Sequence, residues 1–175
     1  MSASEAEGWW FEPTRARGEI IPHSVHDEFM LKALALAAIA QERGDVPVGA
    51  VLVMDGGVAA VGFNQKEANH DPTAHAEIVA LRQAAARRGG WRLSGATLYI
   101  TKEPCVMCAA ACVAARIERI VYACADTKGG GVGSVYNVAD DPRLNHQIEI
   151  VKGVREEEAA QMLRAFFRDK RDSEL

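Results

Sequence analysis

The chain has 175 residues with a net charge of −4, 49% apolar and 25% charged, values of an ordinary single globular domain. No apolar run approaches the ~20 residues that a membrane helix needs, so no such helix is expected. Residues 1–20 lack a basic stretch followed by an apolar one, so no secretory signal is expected there.

The charge is uneven. Residues 1–28 hold six acids (Glu5, Glu7, Glu12, Glu19, Asp27, Glu28) against Arg15 and Arg17, and the remainder is balanced. Residues 1–23, with a Trp9-Trp10-Phe11 cluster and no periodicity, read as a flexible extension. Ser24 then reads as an N-cap opening a helix to about Arg43, with Phe29, Ala33, Leu34, Ala37 and Ala38 as its buried stripe. Val48–Met54 and Val58–Asn64 are β-branched runs joined by Asp55-Gly56-Gly57, a hairpin pattern. A helix is expected from Thr73 to Arg88, preceded by Asp71-Pro72 and closed by Gly89-Gly90.

Further on, Ala96–Lys102 reads as a third strand, Cys105–Arg116 as a helix and Arg119–Cys124 as a fourth strand. A glycine-rich stretch, residues 128–134, follows. Gln147–Val151 makes a fifth strand and residues 155–171 a last helix. Strands alternating with helices imply parallel pairing, whereas the opening hairpin is antiparallel. The predicted fold is α/β: a central mixed five-stranded sheet between two helical layers. The basic residues Arg164, Arg168, Lys170 and Arg171 gather near the C-terminus, where a helix dipole favours them whatever their partners.

Two phrases carry chemistry: His75-Ala76-Glu77 and Pro104-Cys105-Val106-Met107-Cys108. An imidazole and two thiolates can bind zinc and leave its fourth position open, as catalytic sites require. Cys105 and Cys108, at i and i+3, share one face of a helical turn. Cys112 lies on that face too, but the helical rise puts it ~6 Å beyond Cys108, which suits a buried core residue better. Cys124, alternating with Ile120 and Tyr122, reads the same way.

His75 and Glu77 converge only if both lie at the first turn of their helix. Two helix N-termini would then aim at one ion, favouring thiolates and a bound hydroxide. Glu77, not needed as a ligand, is available to move protons. Other readings exist: a redox pair for the C-x-x-C, a plain helix surface for the H-x-E, or a structural zinc with His70 or Cys112 as fourth ligand. The joint pattern, H-x-E with P-C-x-x-C, is the signature of zinc nucleobase deaminases.

From about His26 to Arg171 the chain resembles the bacterial tRNA-specific adenosine deaminases, of cytidine-deaminase-like fold. The resemblance rests on Val46-Pro47-Val48-Gly49-Ala50, Gly62-Phe63-Asn64, residues 71–77 and residues 103–108. It continues through Arg116-Ile117, Asp126-Thr127-Lys128, Gly133-Ser134 and Asn145-His146. It implies hydrolytic conversion of adenosine to inosine at the wobble position of tRNA, in a homodimer with one zinc per subunit; the four cysteines, two of them in a C-x-x-C, separately point to a reducing compartment, by default the cytoplasm. By position it implies that His75, Cys105 and Cys108 bind zinc and that Glu77 shuttles protons. Asn64 would contact the base, Pro47 and Val48 would line its pocket, and Asp126 and Lys128 would lie near the anticodon-loop backbone. A strand-ending turn residue is the plainer role for Asn64, a solvated loop for Asp126 and Lys128, and a hydrogen-bonded structural role for His146. The alternatives in function are deamination of a free base such as guanine or cytosine, and a non-enzymatic zinc-stabilised RNA-binding module. The chain departs from its relatives in the first 23 residues. It also departs in the small side chains of residues 110–115, on a helix that relatives often use for dimer contact.

Overall fold

The computed structural model describes residues 23–173, so most of the expected extension, with its tryptophans, lies outside the described residues. The elements are α1 (His23–Glu42), β1 (Gly49–Met54), β2 (Gly57–Phe63), α2 (Lys66–Asn69), α3 (Ala76–Arg88) and β3 (Thr97–Lys102). They continue with α4 (Val106–Ala115), β4 (Arg119–Cys124), β5 (Glu149–Lys152) and α5 (Glu156–Ser173). The strands form one sheet in the order β2-β1-β3-β4-β5. β1 is antiparallel to both β2 and β3, while β3, β4 and β5 run parallel.

Alternation along the strands sorts side chains to two faces. Ala50, Leu52, Leu98, Ile100, Ile120 and Tyr122 join a core with Ala76, Ala80 and Leu81 of α3 and Ala109, Cys112 and Val113 of α4. Val51, Val53, Tyr99, Val121 and Ala123 join a second core with Phe29, Met30, Ala33 and Leu34 of α1 and Ala159 of α5. The result is the three-layer α/β/α arrangement expected of a cytidine-deaminase-like fold, with α3 and α4 covering one face and α1 and α5 the other.

Most element bounds fall within two residues of expectation, but two helix starts and one short helix differ in kind. Helix α1 includes His23, so Ser24 lies inside it rather than at an N-cap. The helix expected from Thr73 starts at Ala76, because Asp71 folds a tight turn first: its Oδ1 accepts from the Thr73 N–H at 2.8 Å and the Thr73 hydroxyl at 2.7 Å. The four-residue α2 has no buried residue and hence no periodic trace in the sequence.

Close packing sets the height of α3 on the sheet. Gly62 lies so near this helix that a Cβ there would fall 2.2 Å from the Ala76 carbonyl oxygen. Helix α3 also closes the outer edge of β2. Val61 N–H donates to Gln83 Oε1 (3.0 Å) and the Arg87 guanidinium donates to the Ala59 carbonyl (2.7 Å).

Strand directions gather the chemistry. The carboxyl ends of β2, β3 and β4 and the amino end of β1 all point one way, given their pairing. Asn64 follows β2, Val48 precedes β1, Glu103 to Cys105 follow β3 and Asp126 follows β4. All therefore lie along one rim of the sheet, where α/β folds commonly bind ligands.

Candidate functional site

The N-cap residue of α3 is His75 and that of α4 is Cys105, both with extended backbone. Such positions usually spend a side chain on their own helix. Neither does here, so both side chains are free to face each other. Instead Asn64 serves α3 from a distance: its Oδ1 accepts from the Ala76 N–H at 3.0 Å. With the acceptor engaged, the carboxamide N–H groups of this buried side chain remain as donors.

His75 Nδ1 lies 3.7 Å from Cys105 Sγ and 3.6 Å from Cys108 Sγ. These three atoms all fall within 4.8 Å of one another and form a group that could hold a metal ion. Around tetrahedral zinc, bond lengths of ~2.05 Å to nitrogen and ~2.3 Å to sulfur set N···S edges of about 3.6 Å. The donor set and its spacing thus fit zinc. Cys112 lies in the core and His70, an exposed left-handed residue capping α2, stands apart from this group, so neither completes a closed structural site.

The electrostatics agree with a cation site. A hydrogen bond from Cys108, with help from His75, holds the Cys105 thiol down to about 4. Cys108 moves the other way, since the same hydrogen bond and then burial favour its protonated form. The hydrogen bond to Cys105 raises the pKa of His75. Glu77, 3% exposed in the first turn of α3, is raised chiefly by burial and feels the charges of His75 and Cys105. A buried carboxylate with a raised pKa beside a cation site is suited to accepting and returning a proton.

The remaining expected residues divide. Pro47 and Val48 are buried on the rim next to Asn64, whose N–H donates to the Val48 carbonyl at 3.0 Å. The Asp126 carboxylate pairs with the Lys102 ammonium and accepts from the N–H groups of Lys128 (3.1 Å) and Gly129 (3.2 Å). Those contacts outweigh burial and keep its pKa below the ordinary carboxylate value. The Lys128 side chain is exposed. His146 Nε2 donates to the Ile117 carbonyl at 2.6 Å, as a structural histidine does. One residue of the resembling phrases was given no role by the sequence reading: Glu103, 2% exposed, whose carboxylate takes four hydrogen bonds from the loop after β4. The only trace it leaves in the sequence is an acid ending a strand, with a glycine-rich stretch to follow.

A mixed sheet whose rim brings a His/Cys/Cys group and a buried glutamate together at two helix starts defines a zinc-type deaminase. The MafB19-like deaminase family model matches residues 24–171. The tRNA-specific adenosine deaminase of Bacillus subtilis (strain 168) is 47% identical over 143 residues, spanning 82% of this chain and 89% of that one. The enzyme of the same name from Agrobacterium fabrum (strain C58) is 48% identical, spanning 82% and 94%. A solved structure from work on A-to-I editing by tRNA:A34 deaminases at the wobble position of transfer RNA has a TM-score of 0.75. It is 46% identical and covers 78% of this chain and 99% of that one. The chain belongs to the tRNA-specific adenosine deaminase family.

Proposed function

We propose that this chain hydrolyses adenosine to inosine at the wobble position of a tRNA anticodon, releasing ammonia, with one zinc ion per subunit. The observation that carries this reading is the His75, Cys105 and Cys108 group beside buried Glu77, in a chain of this family. His75, Cys105 and Cys108 hold the ion. When bound, zinc supplies Lewis acidity that lowers the pKa of water from 15.7 towards ~7. Glu77 accepts the proton of the attacking water and returns it to the purine ring, then carries the proton of the newly added hydroxyl to the exocyclic amino group, which departs as ammonia and leaves the carbonyl of inosine.

Asn64 offers its carboxamide N–H groups to the base, since its oxygen is engaged with Ala76, and Pro47 and Val48 form the pocket wall. Lys128 reaches the anticodon-loop backbone directly. Asp126 acts there through the loop that it folds. Residues 24–175 form the deaminase domain. A tRNA substrate and reduced thiols suit the cytoplasm; among the described residues no helix is long and apolar enough to cross a membrane.

The reading includes a homodimer. Trp91, Leu144 and Val138 border a cleft of about 490 Å³ with Ala110, Val113 and Ala114 of α4, and Trp91 is 58% exposed. Such an apolar patch favours a protein partner. A single-subunit mass in sedimentation at micromolar concentration would refute the dimer.

The activity is tested with the zinc-loaded chain and an unmodified arginine tRNA bearing ACG, by sequencing the product. Inosine is expected at the first anticodon base. Glu77→Gln should lower the rate by about 10²–10⁴-fold with zinc retained. Failure to form inosine where a known relative succeeds overturns the reading. Ammonia release from free guanine or cytosine without tRNA would favour a free-base deaminase instead. RNA binding without turnover, left intact by Glu77→Gln, would favour a non-enzymatic zinc-stabilised module.

A further inference from the structure

Glu103 takes no part in the proton chemistry above, yet it is almost fully buried at the end of β3, directly before Pro104-Cys105. A carboxylate there must be satisfied by donors. Its Oε1 accepts from the N–H groups of Val132 (3.1 Å) and Ser134 (3.0 Å). Its Oε2 accepts from the Asp126 N–H (2.9 Å) and the Ser134 hydroxyl. All four donors belong to one loop, residues 126–134. That loop closes on the carboxylate so tightly that a Cβ on Gly130 would lie 2.5 Å from Oε1.

The same loop grips the turn that carries Cys105. The Gly131 N–H donates to the Pro104 carbonyl at 2.8 Å, and Gly130 pairs with Cys105 as an isolated β-bridge. Cys105 is an N-cap residue with extended backbone, so helix geometry alone does not set the direction of its side chain. What lies against residues 104–106 sets it.

We infer that Glu103 is a positioning residue for Cys105: its carboxylate folds the 126–134 loop into a clamp that aims the sulfur at His75 and Cys108. This rests on the reading of those three residues as zinc ligands. Glu103→Gln replaces one doubly accepting oxygen with an amide that can only donate: placed at Oε2 it orphans the Asp126 N–H and makes the Ser134 hydroxyl turn from donor to acceptor, and placed at Oε1 it orphans the N–H groups of Val132 and Ser134.

The test uses the full chain loaded with Co²⁺ for spectroscopy and with Zn²⁺ for chelator competition. Glu103→Gln should weaken zinc by about 10–100-fold, the range for residues that orient metal ligands, and shift the cobalt–thiolate charge-transfer band. Ser134→Ala, which leaves three donors in place, should show a smaller change in the same direction and covers the case in which Glu103→Gln fails to fold. Unchanged spectrum and zinc affinity in the folded variants would overturn the inference, even if their thermal stability drops. A wild-type chain without a cobalt–thiolate band would overturn the zinc reading itself, and the clamp with it.

Discussion

Gly62→Ala tests how strictly the sheet governs the site. The added Cβ would meet the Ala76 oxygen at 2.2 Å and the Ala80 nitrogen at 2.9 Å. Carbon–oxygen contacts seldom fall below ~3.3 Å, so the first turn of α3 must retreat by about 1 Å. His75 and Glu77 flank Ala76, and both travel with that turn. The N···S separations of 3.6 and 3.7 Å would stretch by a comparable amount.

A displacement of ~1 Å at reacting groups costs about 10²-fold in rate, and overpacking costs about 1–3 kcal/mol in stability. Stability alone must be separated from geometry. Val121→Ala opens a void on the opposite face, under α1 and α5, at a cost on the order of 1–3 kcal/mol without touching α3. The assays are inosine formation at saturating tRNA, zinc affinity by chelator competition, and thermal unfolding. Gly62→Ala should lose rate and zinc affinity together, and Val121→Ala only stability. If Gly62→Ala keeps wild-type kcat and zinc affinity, or if Val121→Ala loses as much, α3 placement does not govern the site.

Two further outcomes follow from the titratable groups. Without a cation Cys105 is ionised above about pH 4, Cys108 keeps its proton and His75 holds one more readily than a free imidazole, so zinc uptake should release one proton from Cys108 and a second wherever His75 is protonated, the release rising as pH falls. Calorimetry in buffers of different ionisation enthalpy measures this, and uptake without proton release would contradict it. Asp126 has a native pKa below its ordinary 3.8, so it stabilises the fold above that value and stops doing so as pH falls through the lower native one. The melting-temperature gap between wild type and Asp126→Asn should hold from about pH 7 to 5 and shrink below about pH 4; a gap that widens in acid would reverse the sign.

Most of the architecture was legible because local and global signals agree. The run from Arg119 to Cys124 is apolar throughout and is a central strand in the fold. The start of α3 was not legible, since Asp71-Pro72-Thr73 carries the chemistry of a helix opening but spends it on a turn. The real start is served by Asn64, twelve residues earlier on another element, a partner that no local pattern reveals. The grouping of His75, Cys105 and Cys108 was legible from residue types and spacing, and the meeting of two helix starts follows from the sheet's pairing. The surroundings of Glu103 were not, because its donors lie 23 to 31 residues away.

The hold of α3 on the edge of β2 gives this design a bearing on how the protein fails. An uncovered strand edge is a template for joining other chains. Gln83 and Arg87 occupy that edge from the same helix whose first residue follows His75, so catalytic integrity and protection against self-assembly depend on one docked element. Damage that lifts α3 would therefore not leave a quiescent pool of inactive enzyme. It would leave molecules with an adhesive flank, marked for clearance or for precipitation.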